Sequence, residues 1–155
     1  MALDRSTLVW DSRSINMQLE QLVNQLLAEE DITAVQAQIL LHVLQRAEAG
    51  TSVTALHREL HYSKATVSSL IKRLRQKGYV RMELCREDDR RRLLFGTEKG
   101  LRVRKFLEDS IRGAEDRLYR GFSAQELATL DHLQRKMLHN LSDGRTYAQR
   151  EVSTT

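Results

Sequence analysis

The chain has 155 residues, of which 41% are apolar and 30% are charged, and this size and composition fit one helical domain or one protomer of a small oligomer. A single cysteine excludes an intrachain disulfide framework, and because the sequence has no long uncharged apolar run we expect neither a signal peptide nor a membrane span. The formal charge of only +4 does not mark the chain as a polyanion binder, so the distribution of charge matters more. We expect a cytoplasmic protein with no membrane partner.

The N-terminal third predicts an arm and two helices. Residues 1–11 have no clear period and are interpreted as an arm, and a helix is expected from Asp11 or Ser12 to near Glu30 because apolar residues recur there at spacings of three and four. Thr33 is a good N-cap for a second helix, which Gly50 stops. Each of the two helices is predicted to bury one apolar face.

A short helix, a turn and a second helix follow. The short helix is expected over about 53–60, the turn at His61 and Tyr62, and the next helix from its cap Ser63. The core side of that helix is Val67, Leu70, Ile71 and Leu74, while its opposite side and flank carry only small, polar and basic residues: Ala65, Thr66, Ser68, Ser69, Lys72, Arg73 and Gln76. Short polar side chains of this kind suit a helix that enters a DNA groove.

A basic hairpin follows the polar helix. Residues 79–85 alternate as a strand, and residues 92–95 are the expected return strand. The tip between them carries three arginines. Folding alone does not explain this cluster, because like charges so close together repel. Arg90 is predicted to enter a minor groove, Asp88 to orient it by a charge-assisted hydrogen bond, and Arg91 to contact DNA, whereas Arg92 is interpreted as part of a solvated edge.

The C-terminal part predicts two more helices. Thr97 caps a helix to about Arg120, with an expected inner face of Leu101, Phe106, Leu107, Ile111, Ala114 and Leu118. Ser123 to Glu126 form a capping box for a last helix to about Leu141, and the polar residues beyond it predict a disordered tail. The first and last helices carry more apolar surface than the DNA-reading unit needs, which predicts a homodimer through Ile15, Leu19, Leu133, Leu138 and Leu141.

The predicted fold class is mainly α with a small β-hairpin wing. It is a winged helix-turn-helix flanked by N- and C-terminal dimerisation helices. The predicted organisation has an N-terminal arm and first dimerisation helix, a winged helix-turn-helix, a long helix with a C-terminal dimerisation helix, and a tail: residues 1–32, 33–96, 97–141 and 142–155.

Three segments resemble the MarR-type winged helix-turn-helix regulators. Residues 32–40, ITAVQAQIL, are similar to the start of that family's second helix; residues 63–74 and 77–81 resemble its recognition helix and wing entry; Asp88-Asp89-Arg90, with residues 97–100 starting seven residues after the arginine, resembles its wing. Gly96 departs from the family, which usually has Leu there. The resemblance implies a homodimer on a palindromic operator, often released by a small molecule or an oxidant.

The function predicted from residues and resemblance together is a dimeric transcriptional regulator, a repressor of double-stranded palindromic operators released by a small-molecule inducer. The predicted DNA contacts are Ser63, Lys64, Ala65, Thr66, Ser68, Ser69, Lys72, Arg73, Asp88, Arg90 and Arg91. The resemblance places the inducer between the dimer helices and the DNA reader, with Trp10, Met17 and His42 as candidate lining residues. No cofactor is expected.

Three alternatives remain open. His57 and His61 have the spacing of a helical metal pair, but no Cys or acidic cluster completes it, so no metal site is predicted. Cys85 is a candidate redox switch, although a packed or idle thiol is the simpler interpretation. The third alternative is a protein that has the winged fold but binds a ligand or a partner and no operator.

An enzymatic function lacks support, because the sequence has no phosphate loop, nucleophile elbow or metal motif.

Overall fold

The computed structural model describes residues 4–88 and 90–142. A mainly helical chain with one antiparallel hairpin confirms the predicted fold class. No helix within the described ranges has the length and apolar character needed to cross a membrane. In chain order the elements are α1 Arg5–Leu26, a 3-10 helix Ala28–Glu30, α2 Ala34–Gln45, α3 Val53–Leu60, α4 Lys64–Gln76, β1 Val80–Leu84, β2 Arg92–Gly96, α5 Glu98–Leu118 and α6 Ala124–Leu141.

Two compact units divide the chain, the first ending at Leu118 and the second beginning at Tyr119. In the first unit α2 is the central element and packs against α1, α4, α5 and β2. Its buried side chains include Ile39, Leu40, Val43 and Leu44, each essentially inaccessible to solvent. Burying a side chain of this size contributes about 1.5–3 kcal/mol, so α2 holds α4 and β2 on a stable support.

Local capping fixes where α2, α3 and α4 begin. The Thr33 hydroxyl accepts from the Gln36 N–H while the Gln36 amide oxygen accepts from the Thr33 N–H, both at 3.2 Å, which forms a capping box. Ser52 caps α3 and Ser63 caps α4 by the same type of side-chain contact. The predicted caps Thr33 and Ser63 are therefore confirmed, and α3 spans the predicted residues.

The start of α1 differs from the prediction. The helix begins at Arg5, because the Asp4 carboxylate caps it by accepting from the Ser6 N–H at 3.0 Å, so most of the predicted arm is helical. The arm interpretation failed because Leu8, Val9 and Trp10 are all exposed and therefore carry no burial period within one chain.

The inner face of α5 also differs from the prediction. Leu101 is 50% exposed and Phe106 is 36% exposed, whereas Gly100, Val103, Leu107 and Ala114 are buried. Leu107 and Ala114 were on the predicted face and Ile111 packs against the core, so the middle of the prediction is confirmed. The face begins at a small residue because the backbone of Tyr79 approaches α5 closely, and a Cβ atom at Gly100 would lie 2.6 Å from the Tyr79 carbonyl oxygen.

Gly96 has a packing reason of its own. A Cβ atom there would collide with the Leu44 side chain, which fills the space beside the end of β2. The residue at which the sequence departs from the MarR pattern is therefore accommodated by α2. The wing keeps its full register up to the pair Val80 and Gly96.

The second unit contains α6, and Ser123 and Glu126 form the predicted capping box at its start. None of its residues is buried. The apolar side chains Leu127, Leu133, Met137, Leu138 and Leu141 are instead exposed. The predicted disordered tail, beyond Ser142, lies outside the described residues.

Candidate nucleic-acid interface

The polar face of α4 is presented to solvent by burial of its other side. Val67, Ile71 and Leu74 are buried, and α4 packs against α2 and α3. Every predicted contact on this helix and its cap is exposed, namely Ser63, Lys64, Ala65, Thr66, Ser68, Ser69, Lys72 and Arg73. The structure thus brings these eight residues onto one open surface, with no large apolar side chain among them.

Two hydroxyls at the start of α4 are already engaged. The Ser63 Oγ accepts from the Thr66 N–H at 3.1 Å and lies 2.8 Å from the Thr66 Oγ1. This pairing holds the first turn of the helix in place. Ala65, Ser68, Ser69 and Lys72 remain available for contacts with base edges.

The turn between α3 and α4 is held by a histidine. His61 adopts a left-handed conformation with φ 59°, and the His57 Nδ1 donates to the Tyr62 carbonyl at 2.5 Å. His57 therefore has a structural role in this turn. Within residues 4–88 and 90–142, no three His, Cys, Asp or Glu side chains gather into a metal-binding group.

The wing is anchored to the residues before α3. β1 and β2 pair in antiparallel register, and Thr51 forms a bridge with Leu94, exchanging backbone hydrogen bonds of 3.1 and 2.7 Å. The Arg81 guanidinium lies 4.7 Å from the centroid of the Phe95 ring, a cation–π contact across the two strands. The wing base is consequently fixed relative to the start of α3.

At the wing tip the aspartate acts on the backbone. The Asp88 carboxylate accepts from the backbone N–H of Arg90 at 3.0 Å, whereas we predicted a bond to the Arg90 guanidinium. The Arg91 N–H donates to the Asp88 carbonyl at 2.9 Å. An aspartate bonding two residues ahead forms a local turn, so Asp88 shapes the tip and leaves the Arg90 and Arg91 side chains exposed.

The predicted ligand-lining residues separate in the structure. An open groove of about 640 Å³ lies among α1, α2, α5 and Tyr62, and His42 lines it. Trp10 and Met17 do not line it and are 65% and 50% exposed, so their predicted placement is not supported by this geometry. They face away because the turns of α1 that touch the core carry Leu19, Leu22 and Val23 instead.

Groove residues that the sequence analysis missed share a helical face with His42. Val35, Gln38 and His42 lie at positions i, i+3 and i+7 of α2, and the His42 Nδ1 donates to the Gln38 carbonyl at 3.0 Å. That spacing was visible in the sequence. The Tyr62 contribution was not, because it depends on tertiary packing.

Burial and the nearby Glu20 carboxylate raise the pKa of Tyr62 above its usual 10.0. Its phenol stays protonated near neutral pH and donates to the Gln38 amide oxygen, 3.4 Å away, which also lines the groove.

The predicted dimer residues fall into two groups. Ile15, Leu133, Leu138 and Leu141 are exposed, whereas Leu19 is partly buried against the core of its own unit and lines the groove. Cys85 is partly buried directly after β1, and its N–H donates to the Arg91 carbonyl at 2.8 Å.

Comparison with known proteins agrees with this geometry. The model of the MarR family matches residues 30–91. The transcriptional regulator SlyA superposes with a TM-score of 0.81 at 19% identity, over 86% of this chain and 93% of that one. A DNA complex of MepR from S. aureus gives 0.80 at 23% identity, over 90% and 97%. A mutant MarR from E. coli complexed with operator DNA gives 0.77 at 26% identity, over 85% and 94%.

These likenesses cover the reader and the flanking helices alike. The family match spans the helix-turn-helix and ends in the wing tip. It therefore includes the exposed polar face of α4 and the arginines of the tip. The family model covers 62 of the 155 residues, so the chain is similar to the MarR family of winged helix-turn-helix transcriptional regulators over this segment, and it shares the fold of these regulators over most of its length.

Proposed function

We infer that the chain is a homodimeric repressor that binds a palindromic operator in double-stranded DNA and is released by a small-molecule ligand. The observation that carries this inference is the exposed face of α4, which carries short polar and basic side chains and no large apolar one. Two relatives of similar fold are solved with DNA, MepR from S. aureus and the mutant MarR from E. coli, which supports the same role here.

In the proposed mechanism α4 enters the major groove and the wing reaches the minor groove. Ala65, Ser68, Ser69 and Lys72 face base edges, with Lys64 and Thr66 at the N-terminal end of the helix. Arg73 holds phosphate, and Arg90 and Arg91 extend from the turn that Asp88 stabilises. A dimer bound over a promoter blocks polymerase without further machinery, and this favours repression.

Dimerisation is proposed from apolar surface that a monomer leaves uncovered. On α1, Leu8, Val9, Trp10, Ile15 and Met17 are exposed, and α6 by itself buries none of its residues. Isolated helices with such faces are unstable in water unless a partner covers them. A two-fold pairing also sets two copies of α4 at the spacing of two half-sites.

The DNA-binding part is tested by fluorescence anisotropy on operator fragments selected from a random library. Arg90→Ala is expected to weaken binding to all sequences and to lower the slope of log affinity against log salt by about 0.9 for each phosphate charge lost. Ser69→Ala, which removes no charge, should change the preference among operators with little effect on that slope. If wild type selects no sequence above background at low salt, operator recognition is excluded.

The ligand part rests on the groove beside α2. Its walls are apolar at Leu19, Val23, Leu41 and Ile111, and its polar groups include His42, Gln38 and Tyr62. Glu20 and Glu115 add two carboxylates, which favour a neutral or cationic ligand over an anionic one. Tyr62 directly precedes the cap of α4, so an occupied groove changes contacts at the start of the recognition helix.

A ligand is sought by thermal shift with a panel of neutral, cationic and anionic aromatic compounds. Compounds that raise the melting temperature should lower operator affinity, because linkage is reciprocal. Leu41→Trp, which fills the groove, should abolish both effects, whereas Trp10→Ala, outside the groove, should preserve them. A compound that keeps both effects in Leu41→Trp binds elsewhere.

A further inference from the structure

A second groove, beside the proposed DNA-reading surface, is lined by four arginines. It has a volume of about 570 Å³ and runs between α3 and the wing. Arg58 lines it from α3, one helical turn after Thr54, and Arg90, Arg91 and Arg92 line it from the wing. We name this feature the arginine groove. Neither Arg58 nor Arg92 was among the predicted DNA contacts.

The four arginines of the arginine groove carry positive charge that no described carboxylate in its lining offsets. Among the described residues no carboxylate lines it, and none of its four arginines forms an ion pair. Glu59, the acid next to Arg58 in the sequence, is paired with Arg46 at 2.8 Å. The Asp88 carboxylate is engaged with the backbone of Arg90. Four like charges in one groove repel, and an anion placed among them removes that cost.

The two sides of the arginine groove are joined by backbone. Thr51, which bridges to Leu94, directly precedes the N-cap Ser52 of α3, and Leu94 and Ser52 both line the groove. Arg92 sits in the last pair of the hairpin, opposite Leu84, with its Nη1 4.0 Å from the Met82 sulfur. The bridge limits how far α3 and the wing can separate, so an anion would find a largely preformed site.

The position of the groove indicates which anion it takes. Arg90 lines it and extends from the tip proposed to enter the minor groove, while α3, which also lines it, packs against α4. A duplex with α4 in its major groove and Arg90 in the adjacent minor groove has one strand of phosphates between them. We propose that the arginine groove holds a backbone phosphate of that strand, contacted by Arg58 and Arg92. The assignment rests on the proposed function for the orientation of the duplex, and it gives Arg92 a role beyond that of a solvated edge.

The test compares salt dependence on a selected operator and on a random-sequence duplex for the full-length chain. Arg58→Ala and Arg92→Ala should each lower the slope of log affinity against log salt by about 0.9 per protomer, and should weaken binding to both duplexes by the same factor. Arg58→Lys retains the charge and should retain the wild-type slope. Arg102→Ala is the matched control, because Arg102 is an exposed arginine on α5 that does not line the groove. Circular dichroism checks that each variant is folded.

The outcomes separate this inference from the proposed function. Operator selectivity with an unchanged slope in both alanine variants overturns the phosphate site and leaves the regulator intact. A lowered slope on random duplex without operator selectivity supports the site and removes the specific function. Calorimetry with inorganic tripolyphosphate covers a free phosphate ligand: binding that depends on Arg58, together with an unchanged duplex slope, overturns the DNA assignment. A wild-type chain that binds neither duplex overturns both.

Discussion

The Nζ atom of Lys77 lies 3.5 Å from a carboxylate oxygen of Asp31, which joins the end of α4 to the turn between α1 and α2. The same ammonium donates to the Asp31 carbonyl and, at 3.3 Å, to the Gln36 amide oxygen. Asp31 has a φ of 51°, in the left-handed region. A proposed recognition helix and a proposed dimerisation helix are therefore tied at one point, through which a change at α1 can reach α4.

Lys77→Met should destabilise the protein by about 1 kcal/mol, because the carbonyl and amide oxygens lose a charged hydrogen-bond donor. Lys105→Met is the control, since Lys105 is highly exposed and its pairing with Asp109 lies on one face of α5, where such pairs contribute less than about 0.5 kcal/mol. Urea denaturation measures both changes. Equal losses in the two variants would show that the tether contributes no more than a surface ion pair.

Gly100→Ala should destabilise the protein by about 2 kcal/mol, because the added methyl group would lie 2.6 Å from the Tyr79 carbonyl oxygen and neither backbone can easily move. Gly113→Ala, in the same helix, meets no atom within 4 Å and should stabilise by about 0.5–1 kcal/mol through helix propensity. Thermal denaturation of the pair tests the contact directly. Opposite signs are expected, and a stabilised Gly100→Ala would contradict the close approach.

The parts of the fold that the sequence predicted are those fixed by local chemistry. Ser63 caps α4 with a bond to the N–H of Thr66, only three residues away, and the whole of α3 followed from a short apolar period. The start of α1 was missed because Trp10 is 65% exposed, so its half of the helix shows no burial pattern. The spacing of apolar residues reveals only those helix faces that are buried within the single chain.

The candidate sites divide in the same way. The exposed set on α4 was predictable because one helix carries it. The groove around His42 was only partly predictable, because α1, α2, α5 and Tyr62 converge there through long-range packing. The arginine groove was missed because Arg58 and Arg92 are 34 residues apart and meet through the pairing of Thr51 with Leu94. Pairings of this kind leave no spacing signal.

Ser63→Ala and Ser63→Asp should separate capping from DNA contact. The alanine variant loses the bond to the Thr66 N–H and should be destabilised by about 1 kcal/mol, whereas aspartate is an equally good cap and should retain stability. Operator affinity should follow a different order, because a carboxylate at the DNA-facing end of α4 repels phosphate. Ser63→Asp should therefore bind more weakly than Ser63→Ala, as measured by anisotropy. If Ser63→Asp bound as tightly as wild type, the end of α4 would not approach DNA.

Stability should fall in alkaline solution, and Tyr62 should account for part of the loss. Burial, and secondarily the Glu20 carboxylate, raise the pKa of Tyr62 above 10.0, so the folded state holds this proton more tightly than the unfolded state. Its contribution is fully present below pH about 10 and is lost as the pH rises through the folded value. Burial raises the pKa of Tyr79 likewise, which places its effect in the same window.

Urea midpoints between pH 8 and 11 should therefore decline less steeply for Tyr62→Phe than for wild type, and least for Tyr62→Phe combined with Tyr79→Phe. Phenylalanine has no proton to lose, so the remaining decline reports the other groups of the chain. An identical alkaline decline in wild type and the double variant would exclude both tyrosines as its cause.

A dimer through α6 should be broken by charge on its exposed apolar stripe. Leu133 and Leu138 are 48% and 41% exposed in the single chain and neither belongs to its buried core, so Leu133→Glu with Leu138→Glu leaves that core intact, but it would bury two carboxylates per protomer in a dimer. Light scattering should show the mass falling from twice 18.0 kDa to 18.0 kDa. Ala128→Glu adds charge to the same helix on the side opposite the stripe and should leave the mass unchanged. Operator affinity should fall with the mass, because each α4 must then bind its half-site alone and loses the effective concentration that the partner supplies. A double variant that keeps the wild-type mass would remove α6 from the interface and leave the exposed face of α1 as the remaining candidate.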